Sequence, residues 1–368
     1  MSETRDINRR ARTRDPTPRS SRRRHIHGDV IASARARAMS FTTTRAFGSS
    51  ARSGSSARTA NAGTTPTTSS HRIIHRARRS RTATSATREG EVKSDVAPRP
   101  FTVREGELGK VASAAIPLVI RLGTGALIAG YKLELVEDDA TKYSPIRIFG
   151  KRLNERSTTL PSDRAKEPIV MYEYEGSPYC KKVREALSVL DCDVLFKPCP
   201  QGSEAFRAES KRLGATTYPF MVDPNTGTSM GESDDIIEYL FKTYGGETKI
   251  PLLLKRDSPL TNFTAYAAAV SRLKALRARP AKKIPEKPLE LWTYEISPFS
   301  KLVREALTEL CIPHVVKYTP RGSRKRDELF AEVSHFQVPF MRDPNTGVQM
   351  FESKEICEYI EREYGDAA

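Results

Sequence analysis

The sequence predicts an α/β protein built from two tandem copies of one small domain, set behind a basic leader. Three observations predict this. Residues 168–245 align with 288–365 without a gap, with 32 identities in 78 positions, so the chain carries an internal repeat. Within each copy, short apolar runs alternate with stretches of helical apolar periodicity, in the order βαβ–α–ββα. Charge is also segregated. Residues 1–88 hold 20 Arg, no Lys and four acids, whereas the remaining 280 residues carry 41 basic and 41 acidic side chains. The formal charge of +16 therefore belongs to one end, and the rest gives no electrostatic reason to expect nucleic acid. An odd count of five Cys excludes a disulfide scaffold, and the composition excludes a polytopic membrane protein.

In chain order the expected parts are a leader (1–88), a pre-domain segment (89–165), a first domain (166–248), a helical and proline-rich linker (249–286) and a second domain (287–366). Residues 39–88 contain no acid, 9 Arg and 21 Ser or Thr. A segment so poor in large apolar residues cannot offset the entropy of ordering it. Its composition is that of an organelle transit peptide, with the Ser/Thr load favouring a plastid over a mitochondrion and a disordered basic tail as the alternative, and Met39 is an alternative start because all four acids precede it. In the pre-domain segment, residues 111–131 are the most apolar stretch and predict a helix. Arg121 at its centre costs about 2.5–3.5 kcal/mol in a membrane, which argues against a span and for packing on the first copy or lying at a membrane surface.

In copy one, residues 169–173 are a strand. Ser177-Pro178 supplies the cap and first position of a helix whose apolar residues Val183, Ala186, Leu187 and Leu190 share one face. Residues 194–197 are a second strand and 203–213 a second helix. Residues 220–222 form a third strand, and Asp223-Pro-Asn-Thr-Gly227 is hairpin turn chemistry. Residues 229–230 begin a fourth strand, and Ser233 caps a last helix. Copy two repeats each element 120 residues on. Between the copies, residues 261–278 predict an amphipathic helix that joins the domains or touches a membrane or partner. An extended stretch, Pro280 to Pro288, follows.

The motifs carry a resemblance. Ser177-Pro-Tyr-Cys180 and Ser297-Pro-Phe-Ser300, Tyr218-Pro219 and Val338-Pro339, and Glu232-Ser233 and Glu352-Ser353 resemble the thioredoxin fold. They are most similar to the glutaredoxin-like N-terminal domain of glutathione transferases. The whole looks like the plastid proteins of plants and algae with tandem domains of that kind. The resemblance implies glutathione, or a glutathionylated peptide, as ligand. It implies that Ser177 and Ser297 occupy the catalytic position, where a hydroxyl donates to the ligand's thiolate. It implies that Pro219 and Pro339 are cis, so that the main chains of Tyr218 and Val338 pair with the ligand backbone. Finally, it places the ligand's γ-glutamyl end on Glu232, Ser233, Glu352 and Ser353.

The first Cys of the glutaredoxin pattern is Ser177 here, so a dithiol cycle is impossible. Ser177 activation, Cys180 thiol chemistry aided by Lys181 and Lys182, and a cap with a packing cysteine all stay open. Lys181 and Arg184, with Lys301 and Arg304, are candidates to neutralise a carboxylate near the site. Cys192 and Cys199 permit a bridge without demanding one, Cys311 and Cys357 read as structural, and so do His314 and His335. No metal-ligand spacing is present. Only 42 residues separate the copies, too few for the helical domain that completes a transferase, which puts general transferase activity in doubt. The expected function is a plastid glutathione- or thiol-binding protein with weak transferase or thiol-exchange chemistry at Ser177/Cys180. Two alternatives stand beside it: a non-catalytic protein-interaction scaffold and a membrane-associated glutathione-dependent isomerase.

Overall fold

The computed structural model describes residues 96–100, 103–256 and 258–366. The leader and the alternative start at Met39 lie outside them. Copy one contains β4 (Ile169–Glu173), α2 (Pro178–Val189), β5 (Asp193–Pro198), α3 (Ala205–Arg212), β6 (Phe220–Asp223), β7 (Thr228–Met230) and α4 (Ser233–Tyr244). Copy two contains β8 (Leu289–Thr293), α6 (Pro298–Glu309), β9 (His314–Tyr318), α7 (Lys325–Val333), β10 (Phe340–Arg342), β11 (Gln349–Phe351) and α8 (Ser353–Tyr364). In each, the first two strands run parallel and the remaining pairs antiparallel. This is the thioredoxin-type order expected from the sequence. Asp223 holds the hairpin turn together: it accepts from the Asn225 amide at 2.9 Å and the Tyr239 hydroxyl at 2.7 Å.

The two copies do not fold around separate cores, as their size suggested. Strand β5 pairs antiparallel with β9, which joins both sheets into one of eight strands in the order β11-β10-β8-β9-β5-β4-β6-β7. The register has internal symmetry. Val194 faces Val316 and Phe196 faces His314, while the equivalent residues Leu195 and Val315 face each other. A pseudo-two-fold axis therefore passes through the Leu195–Val315 pair, as in an isologous dimer interface. One apolar cluster runs across the join. It takes Val183, Leu187 and Phe196 from copy one and Val303, Leu307 and Val316 from copy two. Pairing also removes two open sheet edges that would otherwise invite aggregation.

The symmetry extends beyond the aligned copies. Helix α1 (Leu108–Ile120) precedes copy one and α5 (Pro259–Val270) precedes copy two. They pack on each other and on α6 and α2. The expected helix over 111–131 thus starts earlier and stops at Ile120. Arg121 ends it, being 1% exposed and donating to both Glu185 oxygens at 2.6–3.1 Å and to the Leu253 carbonyl at 2.7 Å. The helix expected over 261–278 likewise ends at Val270, and Arg272 donates to Glu305 at 2.5 and 2.7 Å. An arm follows each arginine. Residues 126–128 bond Arg321 of copy two, and residues 276–278 bond Gln201 of copy one.

The pre-domain segment also forms a three-stranded antiparallel sheet that the sequence did not predict. Its strands are β1 (Tyr131–Glu137), β2 (Arg147–Ile148) and β3 (Lys151–Ser157). Among the described residues, no helix is long and apolar enough to cross a membrane.

A shared sheet and core should unfold as one unit. In denaturant, Trp292 fluorescence (reporting copy two) and labelling of the buried Cys180 and Cys192 (reporting copy one) should give coincident transitions. Two separated midpoints would show independent domains.

Candidate functional site

Both candidate serines cap helices that meet near the pseudo-two-fold axis. Ser177 Oγ accepts from the Cys180 amide at 3.3 Å, and Ser297 Oγ accepts from the Ser300 amide at 3.2 Å. Two residues upstream of each serine lies a buried glutamate. Glu175 of copy one is bound by Lys301 at 2.7 Å and Arg304 at 3.2 Å, both from copy two. Glu295 of copy two is approached by Lys181 at 3.4 Å and Arg184 at 3.5 Å, both from copy one. Burial by itself would raise the Glu175 carboxyl. Arg184, Arg304 and Lys301 outweigh it and hold the group well below the usual carboxylate range. Glu295 is lowered in the same way, against its burial, by Arg304, Lys181 and Arg184. The cations expected to neutralise a carboxylate near the site thus do so, and the carboxylates are the protein's own.

In copy one the side of Ser177 toward the charge cluster is enclosed. Ser177 is 1% exposed, and Ser297 is 2% exposed. The crevice on that side, lined by Gly176, Ser177, Lys181, Lys274 and Lys301 among others, holds about 10 Å³, room for no more than one water. The arm lies directly on it: a Cβ on Gly176 would stand 2.5 Å from the Lys274 carbonyl oxygen. Cys180 is buried, and its thiol is pushed up to about 12 by burial and then by the Glu173 charge. Lys181 pairs with glutamates, and Lys182 with Asp234 at 2.7 Å. In this geometry the Cys180 thiol is enclosed, and its burial works against the thiolate form. The Tyr218–Pro219 bond is cis. The Tyr218 side chain turns toward α3, 2.9 Å from the Ser210 hydroxyl, under the Arg207 guanidinium. Cys192 and Cys199 are free thiols.

In copy two a different side of the serine, toward the cis proline, borders open space. A cavity of about 500 Å³ is lined by Ser297, Pro298 and Phe299 from the helix start and by Gln337 and Val338 before the cis Pro339. That volume is within the range of ligand pockets. The remaining wall comes from residues that sequence reasoning missed: Tyr143 from the loop between β1 and β2, Arg326, His335, Phe336 and the segment 98–100. Arg326 is buried, with its guanidinium 4.6 Å from the Phe336 ring centroid and 5.4 Å from that of Tyr143. His335, read as structural, lines this cavity. One signal could have found part of this wall. Just before the proline, Ala215-Thr-Thr217 of copy one becomes His335-Phe-Gln337 in copy two. His314 is structural: it is buried, stacked on Phe196 at 5.5 Å, and held down to about 4 by burial.

The third pair of site residues also differs between copies. Glu232 and Glu352 have φ of +64° and +74°, strained for a residue with a Cβ, and they, not Ser233 and Ser353, are the caps of α4 and α8. Glu232 is exposed. Glu352 Oε1 accepts from Gln337 Nε2 at 2.9 Å and from the Arg99 amide at 3.0 Å. Segment 96–100 thus borders the copy-two site, with the Val96 carbonyl accepting from the Phe351 amide at 3.2 Å.

Residues 171–248 and 291–368 each match the family model described as glutathione S-transferase, N-terminal domain. The chain therefore carries two such domains in tandem, of thioredoxin fold and glutathione-related class. No curated protein and no solved structure matches the chain.

The charge cluster and the thiol each carry an expected outcome. Arg304→Met leaves Glu175 and Glu295 underneutralised at full burial, so urea denaturation should show a loss of about 3–5 kcal/mol; a change near zero would mean that water reaches the cluster. Iodoacetamide at pH 8, followed by mass spectrometry, should leave Cys180 unmodified until the protein unfolds. Rapid native-state alkylation there would restore the thiol reading.

Proposed function

We propose that copy two is the ligand-binding half and that copy one is its scaffold. The ligand is a glutathione-type thiol, seated with sulfur at the Ser297 hydroxyl and peptide backbone along Val338. Its ammonium end approaches Glu352, whose two described bonds both fall on Oε1. The observation that carries this reading is the cavity of about 500 Å³ that brings Ser297, the segment before the cis Pro339 and an aromatic wall together. Weak thiol activation belongs at Ser297, not at Ser177/Cys180.

Location and surface contacts are proposals of the same standing. The acid-free, Arg/Ser/Thr-rich composition of 39–88 supports a plastid address, tested by import into isolated chloroplasts and sequencing of the mature N-terminus. Exposed Val119 and Leu122 beside α1's end, and Phe263 and Tyr266 on α5, support a peripheral contact, tested by vesicle co-sedimentation.

Calorimetric titration of the full chain with glutathione should give one site per chain. Ser297→Ala or Phe336→Ala should weaken it about ten-fold or more, and Ser177→Ala should leave it unchanged. Two equal sites, or sensitivity to Ser177 alone, would reverse the assignment.

A further inference from the structure

Ser300 stands where copy one has Cys180. It is fully buried, and its side chain does not reach the cavity lining. A serine in the first turn of a helix can turn its hydroxyl to a nearby backbone group. Ser300 instead donates from Oγ to Ser297 Oγ at 3.0 Å, while its amide donates to the same oxygen at 3.2 Å. A hydroxyl has two acceptor lone pairs and one hydrogen. Both acceptor positions of Ser297 are filled from its own helix, so its hydrogen is the one capacity left, and Ser297 lines the cavity. Two donors on the oxygen also polarise the O–H outward, since chained hydrogen bonds strengthen one another.

We propose that Ser300 is a positioning residue that makes Ser297 a one-way hydrogen-bond donor to an anion in the copy-two cavity, a thiolate above all. A thiol bound there loses its proton to solvent while Ser297 keeps its own, and the donated hydrogen bond favours the charged form. In copy one, Cys180 has only a weakly donating S–H at the matching position. The inference rests on the copy-two cavity being the ligand site, and it names which residue sets the ionisation of the ligand there.

The test uses the full chain with two probes: glutathione, whose thiolate absorbance is followed against pH, and S-methylglutathione, which has no ionisable thiol. Ser300→Ala and Ser300→Cys, the latter copying the residue copy one already holds, should each reduce bound thiolate about ten-fold at a fixed pH below the transition. S-methylglutathione affinity should stay within about two-fold. An unchanged thiolate fraction in both variants, with S-methylglutathione still bound, overturns the role of Ser300 and leaves the cavity assignment standing. Failure of wild-type protein to bind S-methylglutathione overturns the cavity assignment, and this inference with it.

Discussion

Everything else in the molecule is arranged around one reciprocal exchange of charge. Glu175 reaches across the pseudo-two-fold axis to Lys301 and Arg304, and Glu295 reaches back to Lys181 and Arg184. Desolvating such groups costs several kcal/mol each, so an apolar plug of the same volume could be as stable. What the ions add is alignment. An apolar contact between two sheet edges tolerates a slip along the strands, whereas each glutamate meets its partners from the other copy only when Leu195 lies opposite Val315. The helix starts that carry the serines are fixed by the same contacts.

The arms show how one plan gave two unlike sites. Before copy one the arm runs Gly123-Thr-Gly125, and a Cβ on Gly125 would come within 3.0 Å of Glu295 Cβ. Before copy two the arm runs Lys274-Ala-Leu276, and there the glycine is on the other side: Gly176 admits the Lys274 carbonyl and the Leu276 side chain. Close approach is achieved in both places, but the glycine that permits it sits on the arm in one and on the domain in the other. The arms therefore approach the same side of both copies; the copy-two cavity lies elsewhere, walled by aromatic side chains and segment 98–100.

Much of this was legible in the sequence. The repeat, the strand and helix order, the Ser-Pro helix starts and the Asp-Pro-Asn-Thr-Gly turns all rest on local chemistry, and local chemistry is what a sequence displays. The join between copies was not legible, because Val194, Phe196 and Val316 look equally buried whether a strand is covered by helices or paired with another sheet. Arg121 read as a penalty within an apolar run, since its partner Glu185 lies 64 residues away. Lys181 and Arg184 read as partners for a carboxylate of the ligand, and they meet instead the buried glutamates of the protein itself. The cavity wall was the least visible part. Tyr143 and Arg326 meet only through tertiary packing, and only the divergence at 335–337 marked the place.

The pseudo-two-fold axis lies within a single polypeptide, and that has a consequence for both assembly and change. A pair of separate subunits comes apart on dilution, and every substitution in its gene appears in both halves. Here the partner is tethered, so the joined sheet persists at any protein concentration. Each half is also free to vary alone. Cys180 can face Ser300, Glu173 can face Thr293, and a glycine can move from arm to domain, with no need for both halves to accept the same change. Two sites of unlike lining can therefore coexist on one symmetric frame, a difference that two subunits of one sequence cannot encode.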